Sequence, residues 1–203
     1  LRYGGNTSCV EVRAGESTYV FDCGTGLRSL GQQLKKESQG KPISAHIFVS
    51  HFHWDHIQGI PFFRPLYDKG ESSFIFHSST RNRTLKRVME EQMAAPYFPV
   101  DLSEMQAHRD FYDLEPGRVP LGDRVSVEAQ WLNHPQGCMG FRLETSEGTI
   151  VYATDNEPGD PVFDKNVRKL AAGADVLIYD AQYLPEEYEA NRRGWGHSHW
   201  REA

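Results

Sequence analysis

Short apolar runs, bounded by glycine, proline or acidic residues, divide this chain into strand-sized and helix-sized pieces. Tyr3-Gly4-Gly5-Asn6 reads as a turn entering a strand from Ser8 to about Arg13. After the turn Gly15-Glu16-Ser17, Thr18-Tyr19-Val20-Phe21-Asp22 pairs back as a second strand. Cys23-Gly24-Thr25-Gly26 ends that strand, and Leu27, Leu30 and Leu34 carry the three- and four-residue spacing of an amphipathic helix reaching about Glu37. Gly40-Lys41-Pro42 breaks the helix, and His46-Ile47-Phe48-Val49 is a short apolar run of the buried-strand kind. Phe74-Ile75-Phe76 predicts another strand ending at His77, a lone histidine read as structural or surface. Thr84 to about Met93 predicts a helix stopped by Pro96. Pro61 to Tyr67, ahead of the Phe74-Ile75-Phe76 strand, is aromatic and irregular, a candidate cleft wall, whereas Tyr97-Phe98-Pro99 is read as core in preference to a lip.

The second half repeats the theme. Val125, Val127, Ala129 and Trp131 alternate with polar residues, predicting a half-buried strand that delivers His134. Met139 to Glu144 and Thr149 to Thr154 form a hairpin around Ser146-Glu147-Gly148 and deliver Asp155. A helix from about Asp164 to Ala172 follows, and Val176-Leu177-Ile178-Tyr179 delivers Asp180. Ligand-type residues therefore recur at strand ends, where a mixed α and β fold can gather them.

The densest such group is Ser50-His51-Phe52-His53-Trp54-Asp55-His56. His51 and His53 are two apart, so an extended backbone turns them to one side and lets them grip one ion. Asp55 and His56 come where the chain leaves the strand and can serve a second ion. Imidazole with carboxylate suits zinc, iron or manganese.

Composition narrows the setting. A length of 203 residues fits one domain (1–203) with a sizeable core. No apolar run is long enough to cross a membrane, and no secretory leader opens the chain. Cys9, Cys23 and Cys138 are odd in number and without C-x-x-C spacing, which suggests small buried residues in a reducing, cytoplasmic compartment. The net charge of −6 does not attract nucleic acid, although divalent ions can reverse the local field for a phosphate substrate. Arg81, Arg83, Lys86 and Arg87 read as the solvated face of a helix. A homodimer stays open.

The H-x-H-x-D-H motif resembles that of the metallo-β-lactamase superfamily. Arg2-Tyr3-Gly4-Gly5-Asn6-Thr7-Ser8-Cys9, Phe21-Asp22-Cys23-Gly24-Thr25-Gly26 and Gly194-Trp195-Gly196-His197-Ser198 resemble its branch holding ribonuclease Z and cyclic phosphodiesterases. The resemblance implies an α+β fold, the four-layer αββα sandwich, here truncated at both ends: the first strand and a C-terminal segment are wanting. It implies two divalent ions, most readily zinc, with His51, His53, His134 and Asp155 at the first and Asp55, His56 and Asp155 at the second. Asp155 would bridge, because two cations about 3.5–4 Å apart repel without an anion between them. A further histidine that the superfamily supplies near its C-terminus has no counterpart, so the second ion is expected to be weakly held, with His199 a less favoured substitute. Ser198 reads as a helix start. Asp22 and Asp180 are expected to hold ligand or catalytic side chains in place.

The implied activity is hydrolysis of a small or cyclic phosphodiester by a metal-bound hydroxide. Asp55 would orient the nucleophile, and His197 would face the phosphate and protonate the leaving group. Ribonuclease Z relatives carry a tRNA-clamping insertion between the third and bridging ligands. Here His134 and Asp155 are only 21 residues apart, so nucleic acid is not expected. Rival readings are a glyoxalase II-like thioester or lactam hydrolase, a tRNA 3′-processing endonuclease, and a metal-binding sensor domain. The redox branch is disfavoured, since it typically has Glu in place of His53.

Overall fold

The computed structural model describes residues 4–203 and divides the chain into two compact units, 1–114 and 115–203. Arg2 of the Arg2–Cys9 stretch and Tyr3 of the opening turn lie outside the described residues.

In the first unit a hairpin of β1 (Val10–Ala14) and β2 (Ser17–Phe21) leads into α1 (Gly26–Ser38). Then come β3 (Ser44–Phe48), a single helical turn α2 (Trp54–Ile57), β4 (Ser73–Ser78), α3 (Leu85–Gln92) and β5 (His108–Asp113). The sheet runs β1-β2-β3-β4-β5, with every pair after the first parallel. Parallel strands bury both faces, which explains their short, continuous apolar runs. Leu27, Leu30 and Leu34 of α1 and the side chains of Ile47, Phe74 and Phe76 belong to one core, closed by Phe63 and Leu66 from the irregular segment. Each such buried side chain contributes about 1.5–3 kcal/mol by leaving water.

The register sets up the chemistry. Phe21 pairs with Phe48 and Phe48 with His77, so β2, β3 and β4 end on one row. Asp22 and Ser50 follow immediately. The loops beyond are laced together: Cys23 N–H donates to His56 O at 2.8 Å, and Gly59 N–H donates to Cys23 O at 2.8 Å. A side chain at Gly59 would overlap the Gly24 carbonyl, so glycine permits this close approach.

The second unit holds β6 (Gly117–Gly122), β7 (Val125–Leu132), β8 (Cys138–Glu144), β9 (Thr149–Ala153), α4 (Pro161–Ala171), β10 (Val176–Tyr179) and α5 (Pro185–Asn191). Its sheet runs β10-β9-β8-β7-β6, parallel only between β10 and β9. Asp160 caps α4, its carboxylate accepting from Val162 N at 2.9 Å, with Pro161 in the first helical position. Leu132, Val151 and Leu170 form the small core beneath α4.

Three expectations change. Strands β5 and β6 have no apolar run to announce them. Each is the last strand of its sheet, paired on one side only, and so tolerates a polar sequence and, in β6, Pro120. Ser198 starts no helix: His199 bridges to Tyr183 and a turn follows. Tyr97 is exposed and Phe98 half-buried, so this stretch is a surface feature more than core. Among the described residues no cysteine forms a disulfide; Cys23 and Cys138 are buried and Cys9 partly so. No helix among the described residues is long and apolar enough to cross a membrane.

His77 is 4% exposed, stacks on Phe48 and meets His46 with Nε2 3.0 Å from Nδ1. Burial, and secondarily the neighbouring His46, push its pKa down to about 3. The unfolded chain takes up this proton near pH 6.5 and the folded one does not, so the neutral ring's stabilisation is full above that pH and lost as pH falls toward 3. The melting temperature should therefore drop between pH 7 and 4 more steeply in the wild type than in His77→Phe; parallel curves would remove His77 as the cause.

Candidate metal centre

The tip of β3 carries His51 and His53, whose facing nitrogens, His51 Nε2 and His53 Nδ1, lie 3.0 Å apart. The tautomer of His51 follows from a chain of hydrogen bonds starting at Asp22. Its carboxylate can only accept, so the 2.8 Å contact with Ser50 Oγ makes the hydroxyl the donor. Ser50 Oγ must then accept from His51 Nδ1–H at 3.0 Å, which puts the ring's lone pair on Nε2, toward His53. Asp22 also accepts from Ser50 N–H at 2.7 Å and from His56 Nδ1 at 2.6 Å. It is fully buried and sits in the left-handed region (φ 62) directly after β2.

His56 is fixed the same way. With Nδ1–H given to Asp22, its Nε2 faces Asp55 Oδ2 at 3.3 Å. A lone pair opposite a carboxylate oxygen is repulsive unless a proton or a cation is shared between them. The donor types, the tautomers and this confrontation all fit a divalent cation. Asp55 remains largely exposed, whereas His51 and His56 are buried.

The second unit presents a matching group. His134 Nδ1 donates to Gly196 O at 2.7 Å, which sets its lone pair on Nε2, 3.7 Å from Asp155 Oδ2. His197 Nδ1 donates to Asp180 Oδ2 at 2.8 Å, and its Nε2 lies 4.0 Å from the same Asp155 oxygen. Asp155, two residues past β9, is itself in the left-handed region (φ 50), with Thr154 Oγ1 on its other oxygen at 2.8 Å. Ligand atoms of Asp155, Asp180 and His197 all lie within 4.8 Å of one another, a spacing one cation could span. Asp180 accepts further from Asn156 N–H at 3.1 Å and Gln182 N–H at 3.0 Å, so it is held by backbone as well. His199 packs instead on Tyr188 and faces Glu202, away from this group's hydrogen bonds.

Two residues that the sequence reading passed over shape these groups. Ser50 relays Asp22 to His51. Glu157 is buried and accepts from Gly194 N–H at 2.6 Å, Gly196 N–H at 2.7 Å and Tyr188 O–H at 3.0 Å. It thereby holds the loop whose carbonyl orients His134; the Tyr188 phenol is in turn pushed up to about 12 by burial and by this carboxylate. Gly196 has φ 82, and a Cβ there would press on Pro135 and the His134 ring. An acid two residues after Asp155 was the available signal, but its direction is set only by the fold.

The family model described as "Beta-lactamase superfamily domain" matches residues 17–203. Ribonuclease Z of Haloarcula marismortui is 25% identical over 98% of this chain and 75% of its own length. Ribonuclease Z of Streptococcus uberis is 28% identical over 84% and 54% respectively, so the chain spans about half to three quarters of the length of these curated relatives. Among solved structures, human short-form tRNase Z is similar with a TM-score of 0.66 at 21% identity, covering 96% of this chain and 78% of that one. Unliganded yeast PDE1 follows with 0.59 at 13%, covering 94% and 74%. These neighbours share the α+β metallo-β-lactamase fold anticipated from the motif.

Asp22→Ala strips three buried donors of their acceptor, each costing about 1–3 kcal/mol, so the unfolding free energy measured by urea titration should fall by several kcal/mol. Glu157→Gln should leave the fold standing yet weaken zinc about ten- to hundredfold in chelator competition, through the loosened Gly196–His134 contact. Unchanged affinity would show that the loop orients His134 without it.

Proposed function

This chain belongs to the beta-lactamase superfamily of metal-dependent hydrolases, and from that premise we propose that it cleaves phosphodiesters. The observation that carries the reading is the set of histidine tautomers: carboxylate, hydroxyl or carbonyl acceptors take the Nδ1 protons of His51, His56 and His134 and leave Nε2 for ligation. Under this proposal the metal donors are His51, His53, Asp55 and His56 in the first unit and His134 and Asp155 in the second. Such ions, when bound, supply a water of lowered pKa and offset charge on the phosphoryl oxygens. Zinc, manganese and iron all suit the donors.

The chain's own residues do the rest. Asp55, exposed beside His56, orients the attacking water and takes its proton. Asp180 fixes the His197 ring through Nδ1, which directs Nε2 to give a proton to the leaving oxygen. Asp22 and Ser50 keep the ligand rings in register.

RNA is the first substrate class, because the curated relatives named above are ribonuclease Z. The expectation against nucleic acid rested on the short His134–Asp155 connection and on a net charge of −6, and that charge says little about a field dominated by bound cations. A small phosphodiester is the second reading. The connection from His134 to Asp155 is only the β8–β9 hairpin, with no clamp between them.

Purified chain supplied with zinc or manganese should hydrolyse bis(p-nitrophenyl) phosphate and lose the activity to chelator. Asp55→Ala should lower turnover by roughly a hundredfold or more. His197→Ala should cost about 10²–10⁴-fold on an alkoxide leaving group but little on p-nitrophenolate, which needs no proton. Parallel assays on a 3′-extended tRNA, a nucleoside 2′,3′-cyclic phosphate and S-lactoylglutathione separate the substrate classes. Turnover of the thioester alone would overturn the phosphodiester reading.

A further inference from the structure

Trp54 stands between two of the donor residues, His53 and Asp55, at the start of α2, yet its side chain is 61% exposed. Phe62 and Tyr97 are likewise exposed, at 52% and 75%. An indole needs a reason to face water, and three such rings around one cleft form an apolar patch of the kind that marks a binding surface. The cleft has a volume of about 290 Å³ and is lined by Trp54, Phe62, Tyr97 and Phe98 together with Arg28 and Gln92. Phe62 and Phe98 brace each other edge to face, with centroids 5.7 Å apart and planes at 85°. Gln92 is anchored by its Nε2 to Ile57 O at 2.7 Å, and its Oε1 has no hydrogen-bond partner among the described residues.

We propose that this cleft is a nucleobase subsite, in which the base next to the scissile phosphate stacks on Trp54 between the walls made by Phe62 and Tyr97. The inference rests on the phosphodiester reading and adds to it the part of the substrate that is recognised. Size favours one planar ring system, since about 290 Å³ lies at the lower end of the roughly 300–1,000 Å³ of small-molecule pockets. Position favours a nucleotide. Trp54, which lines the cleft, stands in the chain directly between the donors His53 and Asp55. Charge agrees as well, because the Arg28 guanidinium on α1 offers a cation to the polyanionic strand. Stacking of this kind tolerates every base, so the subsite confers affinity for nucleotides without sequence preference.

The test separates this subsite from catalysis. Tryptophan fluorescence is titrated with uridine 5′-monophosphate and, in parallel, with ribose 5-phosphate, on the wild type, Trp54→Phe and Trp54→Ala. The nucleotide should quench the wild type, ribose 5-phosphate should not, and Trp54→Phe should lose the quench while retaining affinity in equilibrium dialysis. Trp54→Ala should weaken binding about ten- to hundredfold. Equal quenching by ribose 5-phosphate, or a quench undiminished in Trp54→Phe, would overturn the proposal. So would a change of sedimentation coefficient in Trp54→Ala without any nucleotide effect, which would make the cleft a contact with a second copy of the chain. In turnover, Trp54→Ala should raise KM for the p-nitrophenyl ester of thymidine 5′-monophosphate and leave methyl p-nitrophenyl phosphate unchanged. A single-stranded RNA arm shows whether the base belongs to a polymer or to a mononucleotide. Failure to hydrolyse either ester sinks the phosphodiester reading, whereas the fluorescence titration still decides the subsite.

Discussion

A fully buried carboxylate is costly unless every lone pair it presents finds a donor, and Asp22 is placed where that condition can be met. It follows β2 in a left-handed conformation, with its own N–H donating to Phe48 O at 2.8 Å. From there the side chain collects the Ser50 amide, the Ser50 hydroxyl and His56 Nδ1. One charge thus joins the ends of two parallel strands and fixes two histidine tautomers, one directly and one through Ser50. The parallel register of Phe21, Phe48 and His77 is what brings those strand ends level. A slip of one residue would turn every ligand to the opposite face.

The second unit solves the same problem with different parts. Asp180 does for His197 what Asp22 does for His56, and it is braced by the amides of Asn156 and Gln182. His134 is oriented by a backbone carbonyl instead, and a carbonyl is only as well placed as its loop. Glu157 supplies that placement, because its two oxygens take the amides of Gly194 and Gly196. Asn133 and Asn156 lace the loop after β7 to the loop after β9, with Asn133 N–H on Asn156 Oδ1 at 3.0 Å and Glu157 N–H on Asn133 O at 2.8 Å. In both units the residues that can bind metal are the visible part of a larger polar network, and the network decides which nitrogen faces outward.

This division explains what could be read from the chain alone. The H-x-H-x-D-H cluster is legible because its chemistry is compressed into six residues, and strands β2, β3 and β7 are legible because their apolar residues are contiguous or alternate. Edge strands β5 and β6 were not, since pairing on one side and partial exposure remove the pressure for apolar residues. Ser50 and Glu157 escaped notice for another reason. Serine and glutamate are common surface residues, and only burial shows that these two are occupied in orienting histidines. The exposure of Trp54 is a property of the fold and leaves no mark in the motif.

The acidic character of the whole chain illustrates why net charge is a poor guide to substrate. Many of the acids are committed locally: Glu91 pairs with Arg83 and Arg87, Glu144 with Arg118 and Arg142, and Glu128 with Lys169. Exposed pairs of this kind add little stability and largely cancel at a distance. The acids beside the histidines are Asp22 and Asp55 in the first unit and Asp155 and Asp180 in the second, each facing an imidazole nitrogen. Within each unit these carboxylates set up a local field that divalent cations would reverse, making it attractive to a polyanion. Substrate preference then depends on cations at the donors and on what lies beside them. Beside Asp55 that is a wall of exposed aromatic rings with one arginine, a surface suited to bases more than to the overall charge of the molecule.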